Sequence, residues 1–220
     1  METLKFCKSL RDLENSCILC LHVTLCIRPL EDSIVLGKTY HYFRWLAQTR
    51  SHNRPPRFAM KTDDDTFHVI PNLMSIFTSL SCGTSYYIGN SWGCSQPYPF
   101  HFGGLGYALS WPLLSWLGAG EELPPHHTND QEDARLGSYF TALDHQTDPV
   151  VTMDYSVLMG SFFDDRVFPK NTDTIAVHYL KLPEAYRDYS NKMWDIWRRG
   201  GKPWKLKGGE EWVKRHASRR

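Results

Sequence analysis

Apolar residues recur at helical spacing at Leu36, Tyr40, Phe43 and Ala47. That pattern predicts an amphipathic helix over residues 33 to 49. The polar stretch SHNRPPR follows as a loop, and the short apolar run FAM reads as a buried strand. Ile70, Leu73, Met74 and Phe77 mark a second helix, with Pro71 in its first turn, where a missing N–H is tolerated. SYYIG reads as a strand, NSWGCSQPYPFHFGG as a loop rich in glycine, proline and aromatics, and LGYALS as a further strand. Ser110 stands where it would cap a short helix entered through Pro112 and closed near Gly118 to Gly120. After the polar loop EELPPHHTND, Asp130 is a good N-cap for a helix over 131 to 143 with Ala134, Gly137 and Phe140 on one side. PVVTMD and TIAVHYL are later strands. Pro183 opens a last amphipathic helix carrying Tyr186, Tyr189, Met193 and Trp197, a packing face, and Gly200 and Gly201 end it. No internal repeat interrupts this order. Alternating strands and helices argue for a layered α/β domain, in which ligands bind at the carboxyl ends of strands.

Composition narrows the picture. The 220 residues suffice for one domain with a real core. With 41% hydrophobic and 14% aromatic residues, the chain has the make-up of a folded protein rather than a disordered one. A formal net charge of +1 gives no general pull toward nucleic acid. The basic end VKRHASRR reads as a solvated tail. The apolar run CILCLHVTLCI is too short to span a bilayer and lacks the layout of a secretory signal, so a buried strand or helix is expected there. Cys17 and Cys20 have CxxC spacing but no second pair at zinc-site spacing, which favours buried thiols. Cys82 and Cys94 are a candidate disulfide if the chain is luminal.

The candidate chemistry lies in KTDDDTF. Three adjacent carboxylates, Asp63, Asp64 and Asp65, repel one another unless a solvated turn or a cation relieves them. A hard divalent ion held by carboxylates and phosphate oxygens fits the second case, and an added imidazole tilts the choice toward Mn²⁺, with Mg²⁺ also suited. FGGLGYALS, NDQEDARLG and AVHYLK follow in that order. Together with SIVLGKTYHYFRWLAQT before the aspartates, these blocks resemble glycosyltransferase family 31, the β-1,3-galactosyltransferase-like group, over roughly residues 33 to 181.

The resemblance implies an α/β fold of the GT-A type, three layers around a mixed sheet. Residues 1 to 32 would then be a divergent and shortened amino-terminal segment, 33 to 200 the catalytic domain, and 201 to 220 the basic tail. It implies a metal-dependent, inverting transfer of a hexose or N-acetylhexosamine from a UDP-sugar to a hydroxyl on a glycan acceptor. Asp65 and His178 match the metal ligands, and Asp63 the residue that orients the donor, with Asp64 between them. Asp133 matches the general base, beside Glu132. Gly103, Gly104 and Gly106 match the glycine block that lines the donor and acceptor cleft. Lys181 is placed by its charge near the diphosphate, and Trp92 is the first choice to stack on a sugar ring. A Golgi location with a membrane anchor belongs to the same implication.

Each of these residues also has a plainer reading. Glu132 and Asp133 near a helix start complement the helix dipole, His178 can be a satisfied core histidine, the glycines a tight turn, and Trp92 core. A non-catalytic family member, binding carbohydrate or stabilising a partner, is the alternative function. Metal-dependent binding of UDP separates the two.

Overall fold

The computed structural model describes residues 4–6, 21–23, 38–50, 55–92, 100–101, 105–120, 136–137, 140, 150–154, 159–161, 174–200 and 217–219. They form a mixed α/β structure built on a mixed sheet. The strands are β1 (Leu4–Phe6), β2 (Leu21–Val23), β3 (Phe58–Lys61), β4 (Phe67–His68), β5 (Tyr86–Gly89), β6 (Ser91–Trp92), β7 (Phe100–His101), β8 (Tyr107–Ser110), β9 (Val151–Asp154), β10 (Met159–Ser161), β11 (Ala176–His178) and β12 (Ala217–Arg219). The helices are α1 (Lys38–Arg50), α2 (Ile70–Ser79), α3 (Trp111–Ala119) and α4 (Pro183–Gly200).

The main sheet runs β12-β9-β5-β8-β3, with β5 and β9 parallel and the other neighbours antiparallel. Its strands alternate sides residue by residue, as the pleat requires. Phe58, Met60, Tyr86, Ile88 and Ala108 face one way, into a core shared with Leu73, Ile76 and Phe77 of α2. Ala59, Tyr87, Tyr107 and Leu109 face the other way, against Tyr40 and Phe43 of α1 and Leu113, Leu114 and Leu117 of α3. Burial on both faces explains why YYIG and YALS read as continuous apolar runs instead of alternating ones. Helices α1 and α3 approach closely at Gly118, where a Cβ would come within 2.7 Å of the Ala47 Cβ.

A second sheet, β10-β11-β4, joins β10 and β11 in parallel and β11 and β4 antiparallel. Helix α4 covers it through Tyr189 and Met193, which pack with Val177, Val69 and Leu180. The packing face expected for this helix is present in those two residues. Tyr186, expected in the same face, is 39% exposed instead.

Four local readings change. Ser110 occupies the N-cap position of α3 but makes no capping bond. Its hydroxyl accepts from the Tyr86 amide at 2.8 Å and donates to the Thr84 carbonyl at 2.9 Å, tying β8 to the entry of β5. The expected loop at NSWGCSQPYPFHFGG contains an antiparallel ladder, Ser91–Trp92 against Phe100–His101. The basic tail is not wholly solvated, because Ala217–Arg219 adds an antiparallel edge strand to β9. Edge pairing is made by backbone groups and needs no apolar pattern, so the sequence carried no mark of it. The strand expected over TIAVHYL is limited to Ala176–His178. The helix expected over 131 to 143 lies largely outside the described residues. So do the start of the helix expected from residue 33 and all the cysteines except Cys82.

Gly106 leads into β8 with φ +92°, a left-handed conformation. A Cβ there would stand 2.4 Å from the Met60 Cε and 2.9 Å from the Lys61 carbonyl oxygen. The methyl end of Met60 can move, but the β3 backbone cannot. Gly106→Ala is therefore expected to destabilise the fold by about 1–3 kcal/mol, read as a lower urea midpoint.

Candidate metal centre

Strand β3 ends at Lys61, and the chain turns through Asp63, Asp64 and Asp65 before entering β4. Strand β4 pairs with β11 in a fixed register, Ala176 opposite His68 and Val177 opposite Phe67. The next step of that register brings His178, the last residue of β11, to the Asp65–Thr66 corner. The apolar residues Val177 and Val69 are buried under α4, so the ladder cannot slip by one residue without exposing them.

Immediately after His178 the backbone adopts a left-handed conformation at Tyr179, φ 73°. Such a conformation in a bulky residue costs about 1–3 kcal/mol and persists only where its surroundings hold it. Here the turn lets the Leu180 amide donate to the Asp65 carbonyl at 2.9 Å. It also brings the Lys181 ammonium against Asp65 Oδ2 and 4.9 Å from the centre of the Tyr179 ring.

The result is a cluster of three ligating side chains. Asp63, Asp65 and His178 each present a ligand atom within 4.8 Å of the other two. His178 Nε2 is 3.2 Å from Asp65 Oδ1 and 3.9 Å from Asp63 Oδ2. Two ligands at adjacent corners of an octahedron around Mg²⁺ or a similar ion lie roughly 3 Å apart, close to the shorter of these distances. Asp65 is buried, with its side chain only 7% exposed. Asp65 Oδ1 and His178 Nε2 take part in no aligned hydrogen bond, while Asp65 Oδ2 is taken by the Lys181 ammonium. Buried polar atoms without such partners are costly. Two of them facing each other across a gap of ligand–ligand width fit a site for a cation. Two carboxylates and one imidazole suit a divalent cation rather than a thiolate-seeking ion.

Both aspartates are also paired with lysines on their outer sides. Lys61 Nζ is 2.9 Å from Asp63 Oδ1. The contact with the Asp65 carboxylate raises the Lys181 pKa above its ordinary value, against the opposing effect of desolvation, so the ammonium stays charged. Three carboxylates facing two ammonium groups leave a local excess of negative charge.

Beside the cluster is a depression of about 410 Å³ lined by Asp64, Asp65, Leu180, Lys181, Pro183 and Tyr186. Tyr186 packs edge-on against Phe67, ring centres 5.3 Å apart, and burial raises its pKa, so its hydroxyl is a neutral phenol. The depression therefore has an anionic floor, a cationic rim and an aromatic wall.

The sequence-derived site residues separate clearly. Asp63, Asp65, His178 and Lys181 converge, and Asp64 is exposed on the lining. Asp63, expected to orient a donor, stands within ligating distance of the other two. Trp92 lies in β6 with its side chain outside the described residues, as are Gly103, Gly104, Glu132 and Asp133. The sequence assigns Lys61 and Tyr179 no role, and Tyr186 only a packing one. Lys61 had a usable signal, its place two residues before Asp63 on the same strand end. Cys82 is held in a disulfide, while Cys94, its expected partner, lies outside the described residues. No protein-family model matches the chain, and no curated protein matches it.

Proposed function

We propose that the chain is a metal-dependent, inverting glycosyltransferase of the GT-A type, moving a hexose or N-acetylhexosamine from a UDP-sugar to a glycan hydroxyl. The observation that carries this reading is the meeting of Asp63 and Asp65 with His178, far apart in the chain, beside an open depression with a lysine on its rim. The order of sequence blocks resembling glycosyltransferase family 31 supplies the reaction class.

In this reading Asp63, Asp65 and His178 hold Mn²⁺ or Mg²⁺. When bound, such an ion neutralises charge growing on a departing diphosphate. Lys181 sets a second positive charge at the rim, where the diphosphate oxygens would lie. Asp133 accepts the proton of the acceptor hydroxyl as that oxygen attacks the anomeric carbon. The new carbon–oxygen bond forms on the face opposite the departing UDP, so the anomeric configuration inverts. Glu132, Gly103, Gly104 and Trp92 line the sugar-binding side in the same scheme. A disulfide at Cys82 suits an oxidising compartment, consistent with a Golgi lumenal protein. Among the described residues no helix is long and apolar enough to cross a membrane.

The test is UDP release from a panel of UDP-sugars with glycan acceptors, with Mn²⁺ and with chelator. Mn²⁺-dependent release is expected, and Asp133→Asn should slow it by roughly 10²–10⁴-fold while leaving Mn²⁺ binding intact. Glycan binding that ignores both UDP and Mn²⁺ would instead show a non-catalytic, carbohydrate-binding protein.

A further inference from the structure

The two carboxylates of the cluster share one arrangement. In Asp63, Oδ1 is taken by Lys61 at 2.9 Å and Oδ2 is turned toward His178. In Asp65, Oδ2 is taken by Lys181 and Oδ1 is turned toward His178. Each lysine thus occupies the oxygen that faces away from the imidazole. Neither lysine is adrift. Lys61 is the last residue of β3, in register with Tyr107 of β8. Lys181 is set by the left-handed turn at Tyr179 and lies over that residue's ring.

We infer that Lys61 and Lys181 restrict Asp63 and Asp65 to one coordinating oxygen each, and so make the site select a small octahedral cation over Ca²⁺. This rests on the cluster being a divalent-metal site. Mg²⁺ and ions like it accept single-oxygen carboxylates at short, near-ideal octahedral positions. Ca²⁺ takes six to eight oxygens, commonly by gripping a carboxylate through both. A carboxylate whose second oxygen is held by an ammonium group cannot offer that grip without breaking the ion pair. The same two ammonium groups repel any divalent cation, so removing them strengthens binding of both ions by charge alone. Only the ratio of the two affinities reports the number of oxygens offered.

The experiment measures Mn²⁺ binding by electron paramagnetic resonance on the full chain, with Ca²⁺ as competitor and no nucleotide present. Wild type, Lys61→Met, Lys181→Met, the double variant and Lys181→Arg are compared. The wild-type preference for Mn²⁺ over Ca²⁺ is expected to fall about tenfold in the double variant, and less in each single one. Lys181→Arg keeps an ion pair on Oδ2 and is expected to keep the wild-type preference. If both affinities rise together and the ratio stays constant, the lysines act by charge alone and the inference is overturned. If wild type binds no Mn²⁺, the metal-site reading itself falls, and this inference falls with it.

Discussion

Asp65→Asn is expected to lower Mn²⁺ affinity by more than about 100-fold, because even outer partners of metal ligands are worth 10–100-fold. The metal-free protein should keep close to wild-type stability, since the ion pair it loses has a half-exposed, solvent-screened lysine at one end. The two effects separate for structural reasons. Asparagine fills the same volume in the buried corner, and the Asp65 carbonyl keeps its bond from the Leu180 amide. What is lost is the pair with Lys181, whose side chain is 56% exposed. That loss is offset in part by removing one of three adjacent negative charges. Metal binding has no such compensation, because Oδ1 of Asp65 is the buried oxygen nearest His178 Nε2. Thermal melts with and without Mn²⁺ read both quantities. At a metal concentration of 100 times the wild-type Kd, wild type should gain about 2.7 kcal/mol, and Asp65→Asn less than about 0.4 kcal/mol. His178→Gln should behave in the same way. An Asp65→Asn protein that Mn²⁺ stabilises as well as wild type would remove Asp65 from the site and with it the proposed chemistry.

The elements of this fold were largely legible where burial is one-sided or complete. The spacing of Tyr40, Phe43 and Ala47 announces α1, and each is buried, in a core shared with α3 and the main sheet. YYIG and YALS read as strands and are buried on both faces, whereas FAM, expected to be a buried strand, is only partly buried along its length. What escaped was structure made by backbone groups or by geometry alone. The edge strand at Ala217–Arg219 and the short ladder at Ser91–Trp92 need only paired amides and carbonyls, which leave no pattern in the side chains. The Ser110 hydroxyl was assigned to its own helix, but the Tyr86 amide and Thr84 carbonyl, both distant in sequence, offered it better partners. At the site, order along the chain located Asp63, Asp65 and His178, since each stands at the end of a strand or in a turn beside one. The outer lysines were legible only as charges. Their role depends on which carboxylate oxygen each approaches, and that follows from the end of β3 and from the left-handed turn at Tyr179, neither of which spacing reveals.

Acidification below neutral pH is expected to destabilise the fold through His68. This residue sits in β4, the strand that joins the aspartate turn to β11. Its Nε2 is 2.7 Å from the Thr62 hydroxyl, while its buried Nδ1 has no hydrogen-bond partner. The neutral ring leaves one nitrogen, Nδ1, unpaired, whereas an imidazolium would bury there an N–H with no acceptor and a charge besides. Burial accordingly pushes the pKa down to about 4 in the folded protein, against roughly 6.5 in an unfolded chain. Above the unfolded value both states are neutral and His68 adds no pH dependence. Between the two values the unfolded chain binds a proton that the folded protein does not, so stability falls as the pH falls. The full loss across that window is up to roughly 3 kcal/mol, the free energy of holding one proton off the folded ring over that span of pH. Urea unfolding at several pH values from 7 to about 3 measures it. His68→Gln keeps a polar partner for Thr62 but cannot titrate, so its stability should decline less steeply through the same range. The two proteins should run parallel below the folded value, where the remaining slope belongs to the carboxylates. Parallel curves throughout would mean that His68 meets enough water or acceptors when folded to be protonated there, and that the β4–β11 ladder is not where acid acts on this protein.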